Sequence, residues 1–161
     1  MDNILKAVNG NKKAIKQLIR DYSKQMYKLI FLHTKYEEDS KIILRDTICF
    51  IKENISKLDE DQDVILWIYK IIIINTNNFL ESVGMVENDI NIEDYYNNGK
   101  ISLYNAIDLL DGKYKSVLIL KYYFELSYEE IGEVVDLNAD TVQIYIRQSL
   151  KKIKASVGEY L

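Results

Sequence analysis

The 161-residue sequence contains no proline, one cysteine, one histidine and six glycines. Each shortage excludes something. A chain with no proline and so few glycines lacks the punctuation that closely spaced β-turns need, which favours long uninterrupted helices over a sandwich or barrel. A lone Cys49 cannot close an internal disulfide, and a lone His33 offers no ligand cluster for a transition metal. Cys49 lies among apolar residues of an expected helix and reads as a packed core thiol. His33, near a helix end, reads as a C-terminal cap rather than a catalytic base. The longest apolar stretch, Val64 to Ile74, falls far short of the ~20 residues a membrane span needs, and no signal-peptide pattern stands at the start. These features set the expectation of a cytoplasmic protein without a membrane partner. An excess of positive charge is also missing: a net charge of −4 argues against a protein that coats nucleic acid indiscriminately, so any DNA binding must be local or assisted. The carboxylates are scattered, and the chain has no glycine-rich phosphate loop, metal cluster or nucleophile triad. No catalytic residue, no metal and no cofactor is expected.

What is present is helical periodicity. Ala14, Ile15, Leu18, Ile19, Tyr22, Met26, Leu29 and Ile30 recur at three- and four-residue steps, the stripe of an amphipathic helix. Acidic Glu37, Glu38 and Asp39 open a second helix by complementing its dipole, and Leu44, Ile48, Ile51, Ile55 and Leu58 are its expected buried face. The acidic run from Asp59 to Asp63 is a solvated turn and a third start signal. Val64 to Glu81 follows, with four β-branched residues from Ile71 to Ile74 that by propensity suit a strand. It reads as helix because its apolar character continues through Trp67, Tyr69, Phe79 and Leu80 for longer than a strand, and a lone strand would have no partner. A helix apolar nearly all round belongs at the centre of a bundle.

From Ser82 the composition turns polar and acidic up to Lys100, which reads as a linker. The expected architecture is all-α, with a three-helix bundle over 1–82, a linker over 83–100 and a four-helix domain over 101–161. Helices in the second domain are expected over Ser102 to Leu110 and Lys113 to Phe124, followed by a helix-turn-helix.

That motif is the most specific signal. Ser127 and Glu130 form a capping box that starts a short helix at Tyr128. Asn138 with Thr141 repeats the signal and starts another at Ala139; between them Asp136 tolerates the left-handed conformation of a sharp turn. Ile131, Val134, Leu137, Val142 and Ile146 are spaced to share a small core, and Gly132 sits where the two helices come closest. Val142, Ile146 and Ile153 share the inner side of the last helix, which leaves Gln143, Arg147 and Lys151 as an outer stripe.

From Leu110, the string Leu-Asp-Gly-Lys-Tyr-Lys-Ser-Val-Leu-Ile-Leu-Lys-Tyr-Tyr-Phe-Glu-Leu-Ser-Tyr-Glu-Glu-Ile-Gly-Glu resembles the fourth region of extracytoplasmic-function sigma factors of bacterial RNA polymerase. The likeness runs on through Thr141-Val142 to Lys152. In the N-terminal half, Trp67-Ile68-Tyr69-Lys70-Ile71 resembles the family's Trp-Leu-Tyr-x-Ile signature. The resemblance implies a transcription initiation factor whose partners are RNA polymerase core, promoter DNA and an anti-sigma factor or a second sigma-like subunit. By this carry-over Thr141, Gln143, Ile144, Arg147, Gln148, Lys151 and Lys152 contact DNA, and Ile42, Arg45 and Asp46 contact polymerase. The chain departs from the family where the second helix has Asp-x-x-Gln-Glu-x-Phe: only an acid, at Asp46, is kept. At the end of the third helix Ile73, Ile74, Asn78, Glu81 and Ser82 stand where the family has basic and polar residues that grip melted DNA. Those departures leave an alternative, a diverged sigma-like adaptor that binds protein with weak or no DNA recognition.

Overall fold

The computed structural model describes residues 2–59, 61–84 and 103–157, and every regular element among them is helical. By Cα proximity the chain divides into two compact units, Met1–Phe79 and Leu80–Leu161. Most of the expected linker lies outside the described residues.

The N-terminal unit contains α1 (Asp2–Val8), α2 (Lys12–Thr34), α3 (Glu37–Asn54) with a closing turn of 3₁₀ helix at Ile55–Lys57, and all but the last three residues of α4 (Val64–Ser82). The three long helices match the expected bundle, but α1 is an addition to it. Its Ala7 and Val8 are buried and it packs on α2 and the 3₁₀ turn. With seven residues, α1 is too short to show a periodic stripe. Asn9-Gly10-Asn11 separates α1 from α2: Gly10 has a positive φ of 79° and the Asn11 side chain accepts from the N–H groups of Lys13 (3.0 Å) and Ala14 (3.1 Å) to start α2. Asp63 does the same for α4, accepting from Ile65 (2.8 Å) and Leu66 (3.0 Å).

In α2 the buried side holds Ala14, Ile15, Leu18, Met26, Leu29 and Ile30, as the stripe requires. His33 is buried in its last turn with Nδ1 2.8 Å from the Leu29 carbonyl oxygen, one turn back. The corner into α3 is held by the Thr34 and Ser40 hydroxyls, 2.7 Å apart, and by Ser40 Oγ donating to the Tyr36 carbonyl at 2.7 Å. In the first turn of α3, the hydrogen bond and charge of Lys41 hold the Glu37 carboxyl below the usual carboxylate range.

The inner face of α3 is turned relative to the expected one. Ser40, Ile43, Thr47 and Ile51 are buried, with Ile55 beyond them, whereas Leu44 and Ile48 are only half-buried. Two small hydroxyl residues occupy core positions because their polar atoms are satisfied there; Thr47 Oγ1 accepts from Asn75 Nδ2 of α4 at 3.1 Å. This rotation also corrects the reading of Cys49, which is exposed. The apolar helix α4 is helical throughout, its Val64, Leu66, Ile68, Tyr69 and Ile71 to Ile73 buried. Burial by the bundle overrides the strand propensity of the isoleucines. Phe50 meets Trp67 at 6.4 Å between ring centroids, and Tyr69 donates to Gln25 at 3.3 Å.

In the C-terminal unit, α5 (Leu103–Ala106) passes into a 3₁₀ turn (Ile107–Leu109), then come α6 (Gly112–Tyr123), α7 (Tyr128–Val135) and α8 (Ala139–Val157). Val117 to Leu120 of α6 are all fully buried, because α7 packs on one side and α8 on another. Four consecutive buried side chains require neighbours on more than one side of a helix. The turn before α6 is tied down by an ion pair: Lys115 Nζ lies 2.9 Å from Asp108 Oδ1, with side chains only 14% and 5% exposed.

Candidate nucleic-acid interface

The junction of α7 and α8 is built by local rules that the sequence states openly. Ser127 Oγ accepts from the Glu130 N–H at 3.1 Å, and the Glu130 carboxylate accepts from the Ser127 N–H at 2.7 Å, a complete capping box. Asp136 ends α7 in the left-handed conformation (φ 56°, ψ 48°), and the N–H groups of Asp136 and Leu137 both bond to the Gly132 carbonyl, the closure of a Schellman turn. Asn138 Oδ1 then accepts from the Thr141 N–H at 2.8 Å to begin α8. Ile131, Val134, Val142 and Ile146 are buried between the helices, with Leu137 half-buried. A β-carbon on Gly132 would run into the Leu137 carbonyl oxygen, and would lie 3.7 Å from the Ala139 nitrogen. The close approach at Gly132 is therefore to the turn backbone entering α8 rather than to the body of that helix.

On α8, Ser149 is fully buried and Ile153 half-buried, so the inner side runs Val142, Ile146, Ser149, with Ile153 at its margin. Ser149 is tolerated there because its hydroxyl donates to the Tyr145 carbonyl at 2.7 Å. The expected DNA-contacting residues divide into three groups. Ile144, Arg147 and Lys151 are exposed and, with Asp140, form the stripe facing away from the core. Gln143 and Thr141 are half-buried at its edges. Gln148 and Lys152 are exposed but already engaged with α6: Tyr114 donates its hydroxyl to Gln148 Oε1 at 3.1 Å, and Lys152 Nζ lies 4.4 Å from the Tyr114 ring centroid and 3.9 Å from Asp111 Oδ2.

Tyr114 is the residue the sequence reading missed. Its ring packs on Tyr145 at 5.1 Å between centroids and its carbonyl accepts from Ser149 at 3.3 Å. No periodicity points to it, because its partners lie on another helix more than thirty residues away. Behind the junction, Lys121 Nζ reaches the Leu126 carbonyl at 3.0 Å and sits 4.6 Å over the Tyr128 ring, holding the loop in which Glu125 has φ 57°.

In the N-terminal unit, Ile42, Arg45 and Asp46 are all exposed on α3, opposite Ile43, Thr47 and Ile51. Arg45 Nε lies 3.4 Å from Asp46 Oδ1, a solvated pair of neighbours with little energetic weight. Cys49 continues the same outer side. Among the described residues no group of three or more His, Cys, Asp or Glu could hold a metal, and no helix is long and apolar enough to cross a membrane.

Residues 100–153 match the family model Sigma-70, region 4, which spans α6, the capping box, the turn and most of α8. Over 144 residues the chain is 26% identical to RNA polymerase sigma factor SigV of Bacillus subtilis (strain 168), covering 84% of this chain and 86% of that one. The chain is similar to sigma factors of the extracytoplasmic-function type, at moderate identity over part of its length. Two solved structures share its fold. CnrH, solved in complex with the cytosolic domain of CnrY, superposes with a TM-score of 0.76 at 18% identity over 98% of this chain and 97% of that one. The sigma factor RpoE, in complex with the anti-sigma factor NepR from Bartonella quintana, gives 0.70 at 12% identity over 89% and 96%. Sigma factors act by binding and positioning, so this sigma-like chain is not an enzyme.

Proposed function

We propose that the protein is a cytoplasmic transcription initiation factor that binds RNA polymerase core and directs it to promoter DNA. The observation that carries this reading is the α7–α8 junction, where a capped turn holds α8 with Arg147 and Lys151 on its outward side. A recognition helix held in this way enters a major groove with its first turns against base edges. Arg147 suits a guanine edge and Gln143 an adenine edge, while Lys151 holds phosphate. The docking face on polymerase core is the outer side of α3 with Ile42, Arg45 and Asp46. An anti-sigma factor is a further proposed partner, by likeness to the RpoE complex.

A specific feature favours a second reading. The last turn of α4 carries no basic residue, and Ile74 is exposed on that helix, so this surface offers melted DNA neither phosphate attraction nor a cation to stack on bases. A sigma-like adaptor that binds protein without opening DNA fits that surface. The two readings separate in one experiment: the full chain is mixed with bacterial core polymerase, co-elution is measured, and the complex is tested for initiation on promoter fragments. The sigma reading expects both; co-elution without initiation supports the adaptor.

A further inference from the structure

We propose that Ile144 is a specificity-determining residue that reads the 5-methyl group of a thymine. The inference rests on the reading of α8 as a DNA-contacting helix and adds the chemical group it recognises. Ile144 is 48% exposed, in the second turn of α8. Helical spacing places it near the middle of the outward stripe, with Asp140 a turn before it and Arg147 and Lys151 one and two turns after it. Gln143, by contrast, is half-buried at the stripe's edge.

An exposed apolar side chain alone is ordinary, but three features of this one point to a base edge. A branched β-carbon is poorly suited to a solvated helix position, where Lys, Glu or Gln would support the helix better. The same branching restricts the side chain almost to one rotamer, so its methyl groups are already oriented and little freedom is lost on contact. Finally, its outward neighbours along the helix are charged or polar: Asp140, Arg147, Gln148 and Lys151. A protein partner would need a contiguous apolar patch, whereas one apolar side chain flanked by groups that reach base edges and phosphates matches a single methyl group in the major groove. Thymine is the base that presents one there.

The test uses the full chain and duplex DNA. Sequences are selected from a randomised duplex pool, and the enriched site is remade with deoxyuridine replacing thymidine at one position at a time, which removes only the methyl group. One position is expected to lose about four-fold in affinity, the equivalent of one buried methyl-sized group. Ile144→Ala is expected to lose that sensitivity at the same position and Ile144→Val to keep it, with thermal unfolding of both variants matching the parent because the site is exposed. If no position responds to deoxyuridine, or if Ile144→Ala responds as strongly as the parent, Ile144 does not read thymine although the helix still reads DNA. A pool that yields no enriched sequence overturns both this inference and the DNA-contacting role of α8.

Discussion

Gly132 of α7 faces the carbonyl of Leu137 across the turn so closely that no β-carbon fits between them. The obstacle is backbone, and that backbone is itself held by the Leu137 N–H bonding back to the Gly132 carbonyl at 2.9 Å. Neither side can yield without opening the turn. Gly132→Ala is therefore expected to destabilise the C-terminal unit by about 1–3 kcal/mol, the range for overpacking a close-packed site. Denaturant unfolding followed by circular dichroism measures it, and a variant as stable as the parent would show that the turn is free to relax.

The pair Lys115–Asp108 fastens the 3₁₀ turn to α6 from inside the protein. Removing the cation alone strands a carboxylate that is almost fully enclosed, and a broken buried pair costs about 3 kcal/mol or more. Lys115→Met is expected to approach that loss, whereas the double change Lys115→Met with Asp108→Leu should recover much of it, since no uncompensated charge remains. Comparing the midpoints of chemical unfolding of the two variants decides the matter: a double variant no better than the single would mean the pair supplies geometry rather than charge balance.

Lys151 and Lys152 are neighbours in sequence with different surroundings, and their variants should differ accordingly. Lys151→Ala is expected to weaken all DNA alike and to reduce the slope of log affinity against log salt by about one unit, as the loss of one phosphate contact does. Lys152→Ala removes the contacts to Tyr114 and Asp111 as well, so it should also lower the stability of the α6–α8 packing by up to ~1 kcal/mol. Gln143→Ala is expected to cost about 1–3 kcal/mol on the preferred sequence only. Binding isotherms at several salt concentrations separate these patterns, and identical behaviour of the two lysines would contradict the division.

For the N-terminal unit, Arg45→Glu with Asp46→Lys reverses both charges on the exposed side of α3 and leaves its buried side untouched. Association with polymerase core is expected to be lost while helical content is kept, because like charges across an interface repel. Unchanged co-elution would leave this pair as solvated surface, in keeping with its exposed 3.4 Å contact.

The readable parts of this protein are those governed by neighbours in sequence. Ser127 with Glu130, Asn138 with Thr141 and Asp63 before α4 mark helix starts because a cap is made within three residues, and the structure places each as expected. The apolar period of α2 and the continuity of α4 were equally plain, since both are properties of one segment. All-α architecture followed from these and from the lack of turn-forming residues.

What the tertiary structure decided is which side of each helix faces inward, and which polar groups find partners. On α3, Ser40 and Thr47 lie inside because the Tyr36 carbonyl and the Asn75 amide are there to pair with their hydroxyls; Cys49 is turned outward as a result. On α8, Lys151 and Lys152 look equivalent in the sequence and differ only because Asp111, just before α6, and Tyr114 of α6 meet one of them. Side-chain pairing across helices depends on atoms brought together by packing, and a periodic pattern along one helix carries no record of which neighbour will arrive.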